Sequence, residues 1–398
     1  MTIARPRVGK RPMPKPLTHI AFIAGSYPSR SRPYAGVFLQ QFIAAVAGRG
    51  VRCTVVNPTP VHHGFSNLPM LGKAACPPDD LKPARPVYFP AANRVLGPFR
   101  SPRMAQELFT RAALRSLRRL GDAPDALYGH FLYPAGAAAV WLGRRFNRPA
   151  FVAVGEGSFW SVKRLGVARC KRDMLGATGF IAVSSLLKRN LHVDFDIPLE
   201  KIAVFPNGTD LARFFPRSRA EMRAKLGLPA GTFIVAFVGT FEELKGLDKL
   251  QAALAGLEGV GAVFLGSGPM KPAGAHVLYC GRVFHEQVPE FLSAADVFVL
   301  PTLEEGSCNA LVEAMACGLP IVTSDGEFNN DLVDDSVAIR VDPLDVQAIR
   351  RAIVELRDNP LLRQRMAAAA LQRAPQFDIN VRAARICQWM EARVSENH

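Results

Sequence analysis

The sequence predicts an α/β protein built from two doubly wound domains, each a parallel sheet with helices on both faces. Short apolar runs alternate with helical patterns along the whole chain, which is typical of parallel sheets. The chain has twelve such runs, more than one compact sheet usually holds. The stretch Pro206–Pro216, which contains Pro and Gly, separates the first six runs from the last six. The net charge is positive before this stretch and negative after it. These observations favour two sheets over one.

The apolar runs are four to six residues long, the length of a buried strand. The predicted strands are His19–Ala24, Val51–Val56, Ala126–Gly129, Ala150–Val154, Phe180–Val183, Lys201–Phe205, Phe233–Val238, Ala262–Leu265, Val277–Cys280, Val297–Leu300, Pro320–Thr323 and Ala338–Val341. The predicted helices include Val37–Ala47, Ala135–Phe146, Leu247–Leu257, Asn309–Cys317 and Val346–Leu356.

The division into domains follows from these patterns. The first predicted domain spans residues 1–205, of which 1–16 are expected to be a disordered basic tail, and the second spans 206–377. The final amphipathic pattern, Asp378–Val394, follows a sheet that is already complete, so the segment 378–398 could cap either domain and is a candidate to pack back on the first.

The net charge of +15 is unevenly distributed. Residues 1–205 hold 30 Lys and Arg against 10 Asp and Glu, whereas residues 206–398 hold 19 against 24. A strongly basic half indicates an anionic partner, such as nucleic acid, an anionic membrane surface or an anionic substrate. An ordinary arginine-rich surface is the alternative, and the charge alone does not decide between them.

Cysteine spacing and hydropathy narrow the class of protein. Seven scattered cysteines without a C-x-x-C pair exclude a disulfide framework and a zinc spacing, and they indicate a reducing, cytosolic compartment. The longest uncharged run, residues 53–72, is broken by Asn, Pro, His and Gly, so no transmembrane helix is predicted. Residues 1–25 imitate a signal peptide, but their short apolar part fits a first strand better.

The segment 301–318 is the most informative in the chain. A strand ends at Leu300, a loop follows, and a helix begins near Asn309. Ligands bind at the carboxyl ends of such strands, and the first amides of the helix can face an anion. These amides belong to Cys308, Asn309 and Ala310. Glu305 in the loop and Glu313 in the helix can position a polyol beside a phosphate. Alternatively, Glu305 only stabilises the positive amino end of the helix, and Glu313 is a solvated helix residue. The spacing of the two residues does not decide between these interpretations.

This segment resembles the E-x7-E signature of the retaining glycosyltransferases of family 4, the group 1 glycosyltransferases. Five further blocks of the chain resemble motifs of that family and occur in the family's order. They are Val204–Asp210, Phe237–Lys249, Leu265–Pro269, Ala294–Pro301 and Cys317–Val322. The resemblance covers residues 17–394 and is most specific in the second half. It implies the GT-B fold, in which two Rossmann-like domains face a central cleft, and a sugar transfer from a nucleotide-diphosphate sugar.

The resemblance implies a donor site in the second domain. Glu313 would hold the ribose hydroxyls, Glu305 would lie beside the donor sugar, and Lys245 would neutralise charge on the diphosphate. Glu305 and Lys245 are thus also candidate catalytic residues. Thr240 stands where the family usually has arginine, which removes one positive group. Three donor-binding candidates remain. Gly239 would let the backbone approach the donor closely, and Arg282 and Val283 would lie beside the base.

The first domain matches the family less closely. Gly36, within Tyr27–Phe38, corresponds to a glycine at a helix start, where amides can face phosphate. His130 matches a family H-x-x-x-P-x-G pattern and is a candidate catalytic residue, and a strand-end histidine with a structural role is equally consistent. Glu156 replaces a histidine of the family, so its carboxylate would serve the acceptor hydroxyl or cap a structural element.

Helical spacing over residues 101–120 separates an apolar face from a basic one. Phe109, Ala113, Leu117 and Leu120 share the first, and Arg111, Arg115, Arg118 and Arg119 share the second. The apolar face is expected to pack on the sheet. Many members of the family act on lipid-linked acceptors, so we expect the arginine face to contact an anionic membrane, with plain solvation as the alternative.

The resemblance therefore implies a cytosolic glycosyltransferase, peripheral on the inner face of the membrane. It would move a hexose to a hydroxyl of a glycan or lipid-linked acceptor in cell-surface polysaccharide or glycolipid synthesis. It would retain the anomeric configuration and need neither metal nor cofactor. A nucleotide-sugar epimerase on the same fold is a second hypothesis. A non-catalytic nucleic-acid binder is a third, although no recognised nucleic-acid module is present. The sugar, base, acceptor and linkage stay open.

Overall fold

The computed structural model describes residues 16–29, 32–60, 83–85, 87–88, 102–120 and 122–396. The predicted disordered tail, 1–16, lies outside these residues except for Pro16, and Cys76 is also outside. The strands are β1 His19–Ala24, β2 Arg52–Val56, β3 Thr59–Pro60, β4 Val87–Tyr88, β5 Ala126–His130, β6 Ala150–Val154, β7 Gly179–Ala182, β8 Ile202–Val204, β9 Phe233–Thr240, β10 Val260–Ser267, β11 Val277–Gly281, β12 Val297–Leu300, β13 Ile321–Ser324 and β14 Ala338–Val341.

The helices alternate with these strands. They are α1 Val37–Ala47, α2 Pro102–Arg118, α3 Ala137–Phe146, α4 Trp160–Leu165, α5 Val167–Met174, α6 Ser185–Phe195, α7 Arg219–Leu226, α8 Leu247–Leu254, α9 Val288–Ala294, α10 Asn309–Ala316, α11 Val346–Asp358, α12 Pro360–Arg373 and α13 Ile379–Glu396. Within the described residues, no helix combines the length and the apolar character needed to cross a bilayer.

Two parallel six-stranded sheets confirm the predicted fold class. Their strand orders are β2-β1-β5-β6-β7-β8 and β11-β10-β9-β12-β13-β14. Central strands such as β1 and β6 are buried along their whole length, because helices cover both faces of each sheet. The chain order reverses between β1 and β5 in the first sheet and between β9 and β12 in the second. These two points are where a doubly wound sheet opens a crevice for ligands.

The element boundaries differ from the predicted ones where glycine or a wide turn intervenes. The helix predicted to reach Leu257 ends at Leu254, and Gly256 just beyond it adopts a φ of +72° that a regular helix does not contain. The helix predicted from Ala135 begins at Ala137, because residues 132–136 form a wide turn closed by the Gly136 amide on the Phe131 carbonyl, 2.8 Å away. Arg119 likewise lies just past the end of α2.

The C-terminal helix α13 packs on the first sheet's side of the molecule. Its buried residues, including Ile386 and Met390, share a hydrophobic core with β1 and α1. The chain thus crosses between the sheets twice, and the two crossings run side by side. The amide of Thr209 donates to the carbonyl of Phe377, and Nε of Arg382 donates to the carbonyl of Pro206, at 2.9 and 2.7 Å.

Candidate functional site

Two loops meet at the point where the second sheet reverses its order. One follows β9 and carries Lys245, and the other follows β12 and carries Glu305. The Lys245 ammonium donates to the Glu305 carboxylate, and the two side chains are 22% and 17% exposed. Backbone contacts hold the loops together, since the Leu303 amide donates to the Leu244 carbonyl at 2.9 Å. The two residues predicted to share the reacting region therefore lie in direct contact.

Gly246 makes this loop contact possible. It has a φ of +66°, and a Cβ at this position would lie 2.0 Å from the carbonyl oxygen of Pro301. Any other residue would push the β9 and β12 loops apart. The pair formed by Lys245 and Glu305 depends on this close approach.

The amino end of α10 faces the same crevice. The cap residue Cys308 has no side-chain oxygen to cap the helix, and its thiol, a weak acceptor, lies beside the amides of Ala310 and Leu311. Burial, helped by the charge of Glu305, raises the pKa of the Cys308 thiol, so it stays neutral. Oδ1 of Asn309 is buried and has no hydrogen-bond partner among the described residues. The amides of Asn309 and Ala310 therefore start a helix that lacks a side-chain cap, the arrangement that favours an anion.

Glu313 lies one turn into α10 and is 7% exposed. His285, in the turn between β11 and α9, donates from Nε2 to Oε1 of Glu313 at 2.8 Å. Burial lowers the pKa of His285, but the charge and hydrogen bond of Glu313 raise it more, and the net shift is upward. This histidine carries no signal in the sequence beyond its position after Arg282 and Val283, and sequence reasoning missed it.

The floor of the crevice consists of the ends of β9 and β10. Thr240 is exposed at the end of β9. Close backbone approach to the donor at Gly239 stays a prediction; within the protein, a Cβ there would make only ordinary contacts, the nearest to the Phe237 ring at 3.4 Å. Strands β9 and β10 approach each other closely at Gly266, which has a φ of +154° and would place a Cβ 1.8 Å from the carbonyl oxygen of Gly239.

Arg282 and Val283 follow β11 at the edge of the same crevice. Nε of Arg282 donates to Oγ of Ser267 at 2.5 Å, and the guanidinium lies over the ring of Tyr34 from the first domain at 5.3 Å. Phe284 packs against the same Tyr34 ring, with centroids 6.1 Å apart. The segment predicted to hold the base therefore contacts both domains.

The first sheet places Gly36 and His130 at its own reversal point. Gly36, with a φ of +73°, precedes α1, and a Cβ there would lie 2.6 Å from the carbonyl oxygen of Ser26. His130 ends β5 among aromatic rings, with the Phe131 centroid 4.3 Å away. Both of its ring nitrogens are buried without a hydrogen-bond partner among the described residues. Burial, with the nearby Arg382 charge, lowers the pKa of His130 to about 3, so the ring is neutral at physiological pH.

Glu156 follows β6 and turns its carboxylate toward backbone. The Leu132 amide donates to Oε1 at 2.7 Å, and the Gly155 amide donates to Oε2 at 3.1 Å. Burial raises the pKa of Glu156 to about 7, although these amides act to lower it. The observed contacts are those of the capping role, and the role at an acceptor hydroxyl stays a prediction.

The crevices of the two sheets face each other across a cleft, where glycines allow the loops to touch. A Cβ on Gly306 would lie 2.2 Å from the carbonyl oxygen of Gly155, and one on Gly157 would lie 3.3 Å from Cα of Glu305. Asn207 fixes the same loop from the crossing segment, because its Nδ2 donates to the Ser307 carbonyl at 3.1 Å. Sequence reasoning identified none of these loop contacts.

The predicted basic helix lies on the outer face of the first domain. The four arginines predicted to form its basic face, Arg111, Arg115, Arg118 and Arg119, are exposed, whereas Phe109, Ala113 and Leu117 on the opposite face are buried and Leu120 is half-buried. Arg111 pairs with Glu107 at 2.7 Å. An open groove of about 720 Å³ runs between α2, α3 and α5. It is lined by Arg103, Met104, Arg111, Trp141, Arg144 and Arg172, among others.

Within the described residues, no three His, Cys, Asp or Glu side chains are grouped to hold a metal ion. The six described cysteines, Cys53, Cys170, Cys280, Cys308, Cys317 and Cys387, are free thiols.

Comparison with known proteins gives matches over both domains. Residues 218–373 match the family model for glycosyl transferases group 1, and residues 35–213 match the model for glycosyltransferase family 4. A teichuronic acid biosynthesis glycosyltransferase of Bacillus subtilis is 28% identical over 365 residues, 87% of this chain and 91% of the other. A D-inositol 3-phosphate glycosyltransferase of Nocardiopsis dassonvillei is 30% identical over 64% of this chain and 67% of its own.

Solved structures have the same architecture. Sucrose-phosphate synthase of Thermosynechococcus elongatus superposes with a TM-score of 0.74 at 21% identity, covering 93% of this chain and 97% of the other. The Anabaena protein HepE, solved in complex with UDP, superposes with a TM-score of 0.69 at 17% identity, covering 93% and 98%. At these identities the likeness concerns the fold.

Proposed function

Because the chain belongs to the group 1 glycosyltransferases and has the GT-B fold, it is a glycosyltransferase, and we propose that its donor is a nucleotide-diphosphate sugar. We propose further that it transfers the sugar to a hydroxyl of a glycan or lipid-linked acceptor, with retention of the anomeric configuration. The pair of Lys245 and Glu305 beside the amino end of α10 is the observation that supports this most strongly.

This pair suits a diphosphate that carries a sugar. The diphosphate would take Lys245 from Glu305, since two phosphates attract an ammonium more strongly than one carboxylate does. The released Glu305 would then accept a hydrogen bond from a sugar hydroxyl. The amides of Asn309 and Ala310 would face the phosphate oxygens. Positive groups in place before the bond breaks stabilise the charge that develops on the leaving diphosphate.

The nucleoside would lie on the other side of the same helix. Glu313 would accept from the ribose hydroxyls, and the backbone at Arg282 and Val283 would border the base. UDP and UDP-glucose are bound by the HepE protein of the same fold, which makes uridine nucleotides the first probes. Thr240 offers a hydroxyl rather than a charge, so Lys245 is the main positive side chain proposed for the diphosphate.

Retention is consistent with an attack from the face that the diphosphate leaves. The bond from the anomeric carbon to the phosphate oxygen breaks as the acceptor oxygen bonds to the same carbon, through an oxocarbenium-like state. The acceptor proton passes to the departing phosphate oxygen. His130 is neutral and Glu156 is bound to backbone amides, so we assign them to the borders of the acceptor rather than to an attack on the sugar. Lys245 and the helix amides would serve as the diphosphate clamp without a metal.

The acceptor side of the proposal rests on the charge of the first domain. Exposed arginines on α2 lie beside a groove with exposed apolar side chains, since Met104 and Trp141 are 46% and 45% exposed. Basic and interfacial aromatic residues together suit an anionic membrane surface. A cytoplasmic enzyme bound to the inner face of the membrane would meet lipid-linked acceptors of cell-surface glycan synthesis there. The teichuronic acid relative acts, by its name, in such a pathway.

The proposal is tested in two steps. A thermal-shift panel of nucleotide sugars identifies the donor, because a ligand that binds the native state raises its apparent stability. Transfer rates are then compared for Lys245→Ala and Glu305→Ala. We expect each to fall by at least 100-fold, in line with the loss of a group that stabilises developing charge. Glu243→Ala from the same loop and Lys249→Ala from the start of α8 are the matched controls and should keep their activity.

Near-normal transfer by both Lys245→Ala and Glu305→Ala would contradict the site. Turnover of the donor in the absence of any acceptor, with epimerised nucleotide sugar as the product, would contradict the transfer.

A further inference from the structure

The loop that follows β11 joins the first domain to Glu313. Within this loop, His285 stands between two partners. In the neutral ring that carries its hydrogen on Nε2, this Nε2–H donates to Oε1 of Glu313 at 2.8 Å, and Nε2 of Gln41 on helix α1 donates to Nδ1 at 3.1 Å. Gln41 belongs to the first domain, whereas His285 and Glu313 belong to the second. A continuous line of hydrogen bonds therefore crosses the cleft and ends on a buried carboxylate.

The line is held in place by packing. The ring of Phe214 lies against the imidazole, with centroids 5.1 Å apart. The side chains of His285 and Glu313 are 24% and 10% exposed. The neighbouring Phe284 packs on Tyr34 of the first domain. The loop thus contacts the first domain through two successive side chains.

We propose that Gln41, His285 and Glu313 form a relay that couples closure of the cleft to nucleotide binding. The proposal rests on the function given above, in which Glu313 receives the ribose. In the relay, His285 is a positioning residue that occupies Oε1 of Glu313 and leaves Oε2 for a ribose hydroxyl. Gln41 fixes the ring in the orientation that does so, and it can only do this while the two domains are together.

The relay has a thermodynamic consequence. If closure orients Glu313 for the nucleotide, the nucleotide must in turn favour closure by the same factor. A residue of the first domain should then contribute to the affinity of a ligand held mainly by the second. Gln41 would do so without a contact to that ligand.

The experiment measures binding by titration calorimetry, with whichever of UDP, GDP, ADP and dTDP the wild type binds most tightly. We expect Gln41→Ala to weaken binding about 5- to 10-fold, at the lower end of measured couplings between sites. We expect His285→Ala to weaken it at least as much, and the double variant to be no weaker than His285→Ala. Gln40→Ala, the neighbouring glutamine on α1, is the matched control and should bind as the wild type does.

Two further measurements separate positioning from a purely structural effect. His285→Gln keeps a donor for Glu313 and should recover most of the affinity that His285→Ala loses. In the transfer reaction, Gln41→Ala should raise KM for the donor and leave kcat within about twofold, because it changes binding rather than the reacting groups.

The outcomes are distinguishable. Wild-type affinity in Glu313→Ala would contradict the ribose assignment, and the relay with it. Weak binding in Glu313→Ala together with wild-type affinity in Gln41→Ala and His285→Ala would overturn the relay alone. Additive losses in the double variant would overturn it as well, because they would make the two residues independent.

Discussion

The environment of Glu156 predicts a pH-dependent stability that one substitution should remove. Burial raises the pKa of this carboxyl from 4.5 to about 7 in the folded chain. Between these two values the unfolded chain loses the proton and the folded chain keeps it. The folded state then binds more protons, so the free energy of unfolding falls as the pH rises. Above pH 7 both states are ionised and the loss is constant.

The magnitude follows from the shift of the pKa. Each unit is worth about 1.4 kcal/mol, so ionisation of Glu156 costs the native state up to about 3 kcal/mol. Most of this loss, roughly 2–3 kcal/mol, falls between pH 5 and pH 8. Glu156→Gln keeps the oxygen that accepts from Leu132 and cannot ionise. Relative to the wild type, the free energy of unfolding of the variant should gain roughly 2–3 kcal/mol over that pH range.

Tryptophan fluorescence offers a local assay for this effect. The three tryptophans of the chain, Trp141, Trp160 and Trp389, lie in α3, α4 and α13. Trp389 packs on the first sheet through Phe151, with ring centroids 5.7 Å apart. Urea unfolding followed by tryptophan fluorescence therefore reports on the first domain.

The comparison is made at pH 5, 6, 7 and 8 for the wild type, Glu156→Gln and the exposed control Glu200→Gln. The difference between the wild type and Glu156→Gln should grow with pH, whereas the control should follow the wild type. A constant difference between pH 5 and pH 8 would refute the reasoning, because the carboxyl would then not be protonated in the folded chain.

Two further substitutions test the loop contact and the basic helix. Gly246→Ala should lower the free energy of unfolding by roughly 1–3 kcal/mol through the strained φ alone. It should also weaken nucleotide binding, because the new Cβ would strike the Pro301 carbonyl. Gly227→Ala has the same φ of +66° with nothing within 4 Å, so equal effects in thermal melts and calorimetry would contradict the role of the contact. Reversal of Arg111, Arg115, Arg118 and Arg119 to Glu should abolish co-sedimentation with anionic vesicles, since each basic residue near such a surface contributes about 1 kcal/mol. Reversal of the exposed Arg365 on the second domain should leave co-sedimentation unchanged. If the fourfold variant also sediments as the wild type does, the basic face of this helix is an ordinary solvated surface.

Local sequence patterns were sufficient for the twelve strands of the two large sheets, but not for the short strands β3 and β4. Apolar runs such as Ala150–Val154 and Val297–Leu300 have the predicted bounds, because burial on both faces leaves no polar residue inside them. Where glycine or a wide turn ends an element, as after Leu254, the apolar pattern continues past the real boundary. The pattern alone does not contain the φ of Gly256.

Contacts between distant parts of the chain could not be predicted in this way. The resemblance to a family placed Lys245 and Glu305 in one site, but nothing local indicates that His285 bonds to Glu313. The close approach of β9 and β10 at Gly266 had no local signal, because the pairing of the two strands decides which residue meets the neighbouring carbonyl. The C-terminal helix could be read as amphipathic, whereas the domain that it covers depends on the path of the crossing segments.

The most direct test of the donor site compares how Lys245→Ala changes the binding of a nucleoside diphosphate and of the corresponding nucleoside. Titration calorimetry on the wild type and the variant gives both affinities for UDP and uridine, or for the base that the panel selects. Loss of the ammonium should weaken the diphosphate at least tenfold and leave the nucleoside within about twofold, since a buried charge-assisted contact is worth roughly 1.5–3 kcal/mol. Equal affinity of the variant and the wild type for the diphosphate would show that Lys245 does not contact the phosphates, and the donor would have to bind elsewhere.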